Sequence, residues 1–438
     1  MTVESLAPPL PLVFSDHVAD QYLGIRRWTE HICDPLCVED FVVQSMPDTS
    51  PVKWHLAHTS WFFETFILIP HFPGYRPFYP EFGVLFNSYY NAVGPRWPQS
   101  QRGVLSRPTV AEVYAYRSHV DQAMIQLFEP DKKELLDRVI GVLVLGLNHE
   151  QQHQELILTD LKHSLASNPL HPTYRESKDE DHGSSLKNAR NSESASPSDW
   201  VGFSSGLYAI GHEGKGFAFD NESPRHQVFL RSFRIASELV SNGEYAAFIE
   251  DGGYDRPELW LSDGWTVRQA QGWTAPLYWN VSGDECLTMT LAGLRPIKPR
   301  EPVCHVSFYE ADAYTRWAGA RLPLEVEWEA AATTPVGHFL ESELYHPASY
   351  RARGDDGPLF HLYGNVWQWT ASPYVAYPGY APLAGALGEY NGKFMCNQMV
   401  LRGASCVTPR SHSRRTYRNF FPPETRWQFS GIRLAQSV

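Results

Sequence analysis

Apolar residues recur at helical spacing over four stretches in the first part of the chain, and that recurrence fades beyond Trp200. Positions three and four apart share one helix face, so the pattern predicts helices over Ser15–Thr29, Pro51–Ile69, Thr109–Phe128 and Lys133–Ser164. Four such segments predict a helical bundle. Residues 70–108 break the pattern with a run rich in Pro, Gly, Tyr and Phe, a composition that rules out a helix. A loop of that length inside a compact domain is commonly functional, and its density of rings predicts a pocket wall.

From Tyr174 to Ser198 apolar residues nearly vanish, which reads as a flexible, solvated linker. Beyond Trp200 come short strand-like runs, many Gly, Trp and Pro, and brief helical patterns at Asn242–Glu250, Tyr309–Ala318 and Leu324–Thr333. The expected organisation is α+β: a helical domain over 1–173, a linker over 174–199, and a second domain over 200–438 with sparse regular secondary structure. A length of 438 residues, too great for one ordinary core, fits two domains.

Charge narrows the function classes. Lys and Arg number 37 against 49 Asp and Glu, a net charge of −12 that argues against wholesale nucleic-acid binding. Val139–Leu147, the longest apolar run, is far too short to span a bilayer, so no membrane partner is expected. The six cysteines are scattered, with no CxxC pair, and the N-terminus carries no secretory signal; reduced thiols in the cytoplasm are the expectation. The basic run RSHSRRTYRNF reads mainly as solvated or salt-bridged arginines.

The candidate chemistry centres on LNHEQQHQELIL. His149 and His153 lie one helical turn apart, so both imidazoles can grip one metal ion. The same residues spell HExxH, the zinc-peptidase signature in which Glu150 would be the general base. That reading is weakened by Gln151 and Gln152 between the histidines and by the lack of a convincing downstream third ligand. Gln152, three residues after His149, is placed to offer a carboxamide to the site. In KWHLAHTSWFFETF, His55 and His58 fall on a second amphipathic segment, and either can complete a three-nitrogen set; spacing does not choose between them. Three imidazoles would suit tetrahedral zinc with water, or six-coordinate iron with three open positions.

At this point the chain resembles a known family. KWHLAHTSWFFETF, NSYYNAVGPR, QRGVLSRPTV and LNHEQQHQELILTDLKH, together with FDNESPRHQVFL, NGEYAAFIEDGGY, LYGNVWQWT, GEYNGKFMCNQMVLRGAS and FSGIRLA, resemble the iron-dependent sulfoxide synthases of ergothioneine biosynthesis. The resemblance implies a DinB-like four-helix bundle followed by a C-type-lectin-like domain of the formylglycine-generating type. It also implies an enzyme that uses Fe(II) and O2 to join a thiol to the imidazole C2 of hercynine, N-alpha-trimethylhistidine, and releases a sulfoxide. By position, His58, His149 and His153 become the metal ligands, Gln152 lies near the hercynine imidazole, and Glu150 loses any required role as a base.

Within the family, Tyr89 and Tyr90 match the tandem tyrosines of the branch that uses free cysteine. Tyr90 is expected as the acid and Tyr89 as its supporting partner. Asn419 and Phe420 match the pair that holds the amino-acid end of hercynine, where an aromatic face suits a quaternary ammonium. Phe421 stands where gamma-glutamylcysteine users carry an acidic residue, which favours cysteine. Arg96 and Arg102 are the candidates for the cysteine carboxylate. The resemblance leaves a homo-oligomer open. Its competitors are a relative that transfers selenium to hercynine, a formylglycine-generating oxidase, which would need a second cysteine after Cys406, and a zinc hydrolase.

Overall fold

The computed structural model describes residues 18–176, 199–281 and 286–438. Most of the expected linker and the first residues of the first expected helix lie outside the described residues. The chain divides into two compact units, one comprising Met1–Ser167, Glu213–Asp220 and Ala381–Lys393, the other Asn168–His212, Asn221–Tyr380 and Phe394–Val438.

The first unit is built on four long helices: α1 (Val18–Cys33), α2 (Val52–Phe63), α3 (Val110–Gln126) and α4 (Lys133–Ser167). A capping box starts α3: the Thr109 hydroxyl accepts from the Glu112 amide, and the Glu112 carboxylate accepts from the Thr109 amide. The helix α2 departs from the amphipathic expectation, since all its residues are buried. It packs against α3 and α4, and the aromatic loop closes over it. The Lys53 ammonium donates to the carbonyls of Leu105 and Pro108, and the Trp54 indole to that of Leu85. A fully buried helix must satisfy its polar side chains internally, and the loop supplies those carbonyls.

Beyond Phe63 the chain continues through a π-helical turn, Glu64–Leu68. The loop itself contains a single helical turn at Phe82–Leu85 and a 3-10 segment at Gln99–Val104, short local structure that its composition does not announce.

A close approach fixes how α2 meets α4. A Cβ added at Gly146 would lie 2.5 Å from the Phe63 ring and 3.0 Å from that of Phe62, so only glycine lets these helices pack at this distance. Gly146 is one turn before His149, which places that imidazole against α2.

The second unit holds short strands in small sheets, as expected. The largest runs β3–β2–β1–β4, where β1 is Trp367–Pro373, β2 Met399–Arg402, β3 Asn419–Phe421 and β4 Ser430–Gly431. Helices form at Asn242–Glu250, Phe308–Trp317 and Glu325–Ala331, close to the sequence reading, and at Ser262–Gln271, which that reading missed. Two arginines of the basic run are ion-paired, Arg414 with Glu222 and Arg418 with Glu325. Among the described residues no helix is long and apolar enough to cross a membrane, and Cys33, Cys37, Cys286 and Cys396 are free thiols.

Candidate metal centre

His58 on α2 and His149 and His153 on α4 are buried and converge. Nε2 of His149 lies 3.2 Å from Nε2 of His58 and 3.1 Å from Nε2 of His153. A single proton on His149 Nε2 can serve only one of these two contacts well. The Nδ1 of His58 is 2.6 Å from the Phe86 carbonyl, which can only accept, so the ring carries its proton there and its Nε2 is a bare lone pair. Burial pushes all three imidazoles toward the neutral form; His149 titrates near 3, and His58 and His153 are also held well below the usual range. Bare nitrogens a little over 3 Å apart repel unless a cation sits between them, on the order of 2 Å from each. The donor set therefore fits a divalent metal.

The rings are held from several sides. His58 is stacked between Trp54 (4.6 Å between centroids, 14° between planes) and Trp61 (5.4 Å, 16°), its neighbours one helical turn to either side. Phe62 lies 4.8 Å from the His149 ring. His55, left open by spacing, is behind His153: the two Nδ1 atoms are 2.8 Å apart, and the other nitrogen of His55 lies 3.1 Å from Asp160 Oδ2.

Glu150 takes no part in this constellation. Fully buried, its carboxylate accepts from Arg117 at 2.6 Å, Thr29 at 2.7 Å and Arg26 at 2.9 Å. Burial alone would raise its pKa, but the two guanidiniums outweigh that and hold it at about 2. A permanently ionised, triply bonded carboxylate packed against α1 and α3 is no general base for water at the imidazoles.

Tyr90 is wholly buried, its ring 5.7 Å from Trp61 and 5.1 Å from Phe66. Its hydroxyl interacts with the Tyr89 side chain but outside standard hydrogen-bond geometry. Burial pushes its pKa up, with Tyr89 partly offsetting the rise. Tyr89 lies 4.8 Å from Tyr90, ring to ring. Gln152 is half-buried on α4, beside His153.

The two arginines differ. Arg96 is exposed and donates to the Ser88 carbonyl of its own loop. Arg102 is buried, stacked 3.3 Å over the Trp54 ring, and donates to the Ser50 hydroxyl, while its Nε has no partner. Burial lowers its pKa to about 9, which leaves it cationic at neutral pH.

Asn419 and Phe420 belong to the second unit, on β3. Phe420 stacks on Tyr374 at 4.0 Å and 9°, with Phe394 at 5.9 Å, while Asn419 Oδ1 accepts from the Phe420 amide.

Sequence reasoning missed a segment that packs with the helices. Within Ala381–Lys393, the Glu389 carboxylate accepts from the amides of Asn91 (3.1 Å) and Ala92 (2.7 Å), and the Lys393 ammonium donates to the Tyr89 carbonyl. Between them Tyr390 lies 5.9 Å from both the Tyr89 and the His149 rings. The signal was present in GEYNGKF, but nothing local in that stretch ties it to residues some 300 positions earlier.

Comparison with known proteins agrees with both units. A DinB superfamily model matches residues 21–157, and a sulfatase-modifying factor enzyme 1-like domain model matches 186–355 and 333–438. A hercynine oxygenase from Mycolicibacterium thermoresistibile is 30% identical over 420 residues, covering 90% of this chain and 88% of that protein. One from Mycolicibacterium smegmatis is 38% identical over 246 residues, 50% of this chain and 56% of the relative. A formylglycine-generating enzyme from Streptomyces coelicolor is 31% identical over 260 residues, but this match covers only 48% of the chain. The domain pair and the near full-length match decide the family: the chain belongs to the hercynine oxygenase family of enzymes.

Proposed function

We propose that this protein is an Fe(II)- and O2-dependent sulfoxide synthase that joins cysteine to the imidazole C2 of hercynine, giving hercynyl-cysteine sulfoxide. The observation that carries the reading is the convergence of three neutral imidazoles whose Nε2 atoms face one another, in a chain of the hercynine oxygenase family. A hexacoordinate ferrous ion there would keep three positions open for thiolate, substrate imidazole and O2, and would supply electrons to the oxygen.

The remaining work falls to side chains. The two tryptophans hold His58 in one orientation. Tyr90 keeps its proton on Oη, since burial disfavours the phenolate, and yields it only to a strongly basic oxygen. Arg102 retains a buried cation with an unpartnered Nε, a fitting receptor for a carboxylate such as that of cysteine. Gln152 would contact the hercynine imidazole, Tyr89 would support Tyr90, and Arg96 is the weaker carboxylate candidate because it already serves its own loop. The apolar faces around Phe420 suit a trimethylammonium, and Asn419 would hold the carboxylate end. Phe421 offers no charge to a glutamyl ammonium, which supports free cysteine as the thiol.

The test is purified, iron-loaded protein given hercynine, O2 and equal cysteine and gamma-glutamylcysteine, with products identified by mass. Hercynyl-cysteine sulfoxide as the main product supports the reading. A gamma-glutamyl product overturns the thiol assignment, and coupling with neither thiol overturns the activity and moves weight to a selenium donor.

A further inference from the structure

We infer that His55 and Asp160 are positioning residues for the metal centre, forming a carboxylate–imidazole–imidazole relay that dictates which nitrogen of His153 faces the cation. The inference rests on the metal reading of the three imidazoles and adds two residues that touch neither metal nor substrate.

The relay follows from hydrogen-bond direction. Asp160 Oδ2 accepts the Ser50 backbone amide at 2.8 Å, an arrangement that marks this oxygen as an acceptor. The same oxygen is 3.1 Å from His55 Nε2, so His55 carries its proton on Nε2 and presents Nδ1 as a lone pair. That lone pair is 2.8 Å from His153 Nδ1, which must therefore hold the His153 proton. His153 is left with a bare Nε2, 3.1 Å from Nε2 of His149, where a metal needs it. Each link in the chain is buried: His55 2%, His153 7%, Asp160 4% exposed. With no water to offer an alternative partner, the tautomer is set by protein groups alone.

The spacing explains why the relay can form. Asp160 is seven residues after His153, two helical turns along one face of α4, while His55 is on α2 opposite the gap between them. His58 has its own, simpler device, the Phe86 carbonyl. Hydrogen bonds to the far nitrogen of a ligating histidine fix its ring and raise its basicity, and their loss typically lowers metal affinity about 10- to 100-fold.

Asp160→Leu is the sharpest test, because it keeps the bulk of the side chain and removes the oxygen that accepts from both Ser50 and His55. His55 is then free to carry its proton on Nδ1 and donate to His153, which puts the His153 proton on Nε2. His55→Asn retains an acceptor near His153, whereas His55→Leu retains none. We would measure Co(II) affinity by chelator competition, and the ligand-field absorption of bound Co(II), for the full-length wild type and the three variants, with folding checked by circular dichroism.

The expected order is wild type, then His55→Asn, with folded Asp160→Leu and His55→Leu weaker than wild type by roughly 10- to 100-fold and shifted in absorption. If one of the two Leu variants fails to fold, the other carries the test. Wild-type affinity and spectrum in folded Asp160→Leu overturns the relay and leaves the metal reading standing. A wild type that binds no Co(II) at the three imidazoles overturns the metal reading, and the relay falls with it.

Discussion

Arg117 and Glu150 form an ion pair with Nη2 and Oε1 2.6 Å apart and both side chains essentially without solvent contact. One position along α4 from His149, the sequence thus switches from an imidazole that faces His58 and His153 to a structural carboxylate. HExxH here sets two jobs on two faces of one helix, and that of its glutamate is structural.

Glu150→Ala should accordingly damage the fold before the chemistry. It strips one partner from each of two buried guanidiniums, Arg26 and Arg117, at a cost of about 3 kcal/mol or more. Thermal or denaturant unfolding should show that loss, while the folded fraction keeps its metal and measurable sulfoxide formation. Folded, metal-loaded, inactive protein would restore the hydrolytic reading.

Gly146→Ala tests the helix contact that carries His149. The added methyl meets the Phe62 and Phe63 rings, and overpacking of this kind costs about 1–3 kcal/mol. Reduced unfolding stability together with lower iron occupancy is the expected pair of results; unchanged stability would mean the rings yield freely.

Tyr90→Phe separates stability from reactivity. The Tyr90 hydroxyl meets only the Tyr89 side chain, and outside standard hydrogen-bond geometry, so its removal should leave stability within about 1 kcal/mol of wild type. Sulfoxide formation should slow, or the thiol should be diverted to simple oxidation. Equal rate and equal product ratio would remove Tyr90 from the mechanism.

Glu389→Ala should reproduce part of that phenotype from a distance. Without the carboxylate that accepts the Asn91 and Ala92 amides, the segment bearing Tyr89 and Tyr90 loses an anchor. Faster amide hydrogen exchange over residues 89–93 and a product ratio shifted toward thiol oxidation are expected, with iron content unchanged.

Acid should destabilise the metal-free protein steeply. His58, His149 and His153 are neutral when folded, with His149 near 3, while unfolded histidine titrates near 6.5. Their folded pKa values are depressed, so this stability is complete above about pH 6.5 and is lost as pH falls toward about 3, by about 1.4 kcal/mol per pH unit for each histidine. Denaturant midpoints measured from pH 7 to pH 4 check the slope; a flat profile would mean the rings charge without unfolding.

How much of this was legible beforehand depended on the range of the interaction. The four helices follow from local periodicity, and the pairing of His149 with His153 follows from helical spacing alone. The choice of His58 over His55 did not: it turns on the Phe86 carbonyl and on Asp160, whose roles depend on how a loop and a second helix fold back. The amphipathic reading of α2 failed because its outward face is covered by that same loop, a burial no local pattern encodes. Glu389 and Tyr390 stayed hidden because their partners lie at the other end of the chain.

Iron-loaded protein supplied with hercynine, cysteine and isotopically heavy dioxygen should yield a hercynyl-cysteine adduct whose mass shows one heavy oxygen atom on sulfur. An adduct whose oxygen comes from water, or cysteine oxidised with hercynine untouched, would contradict it.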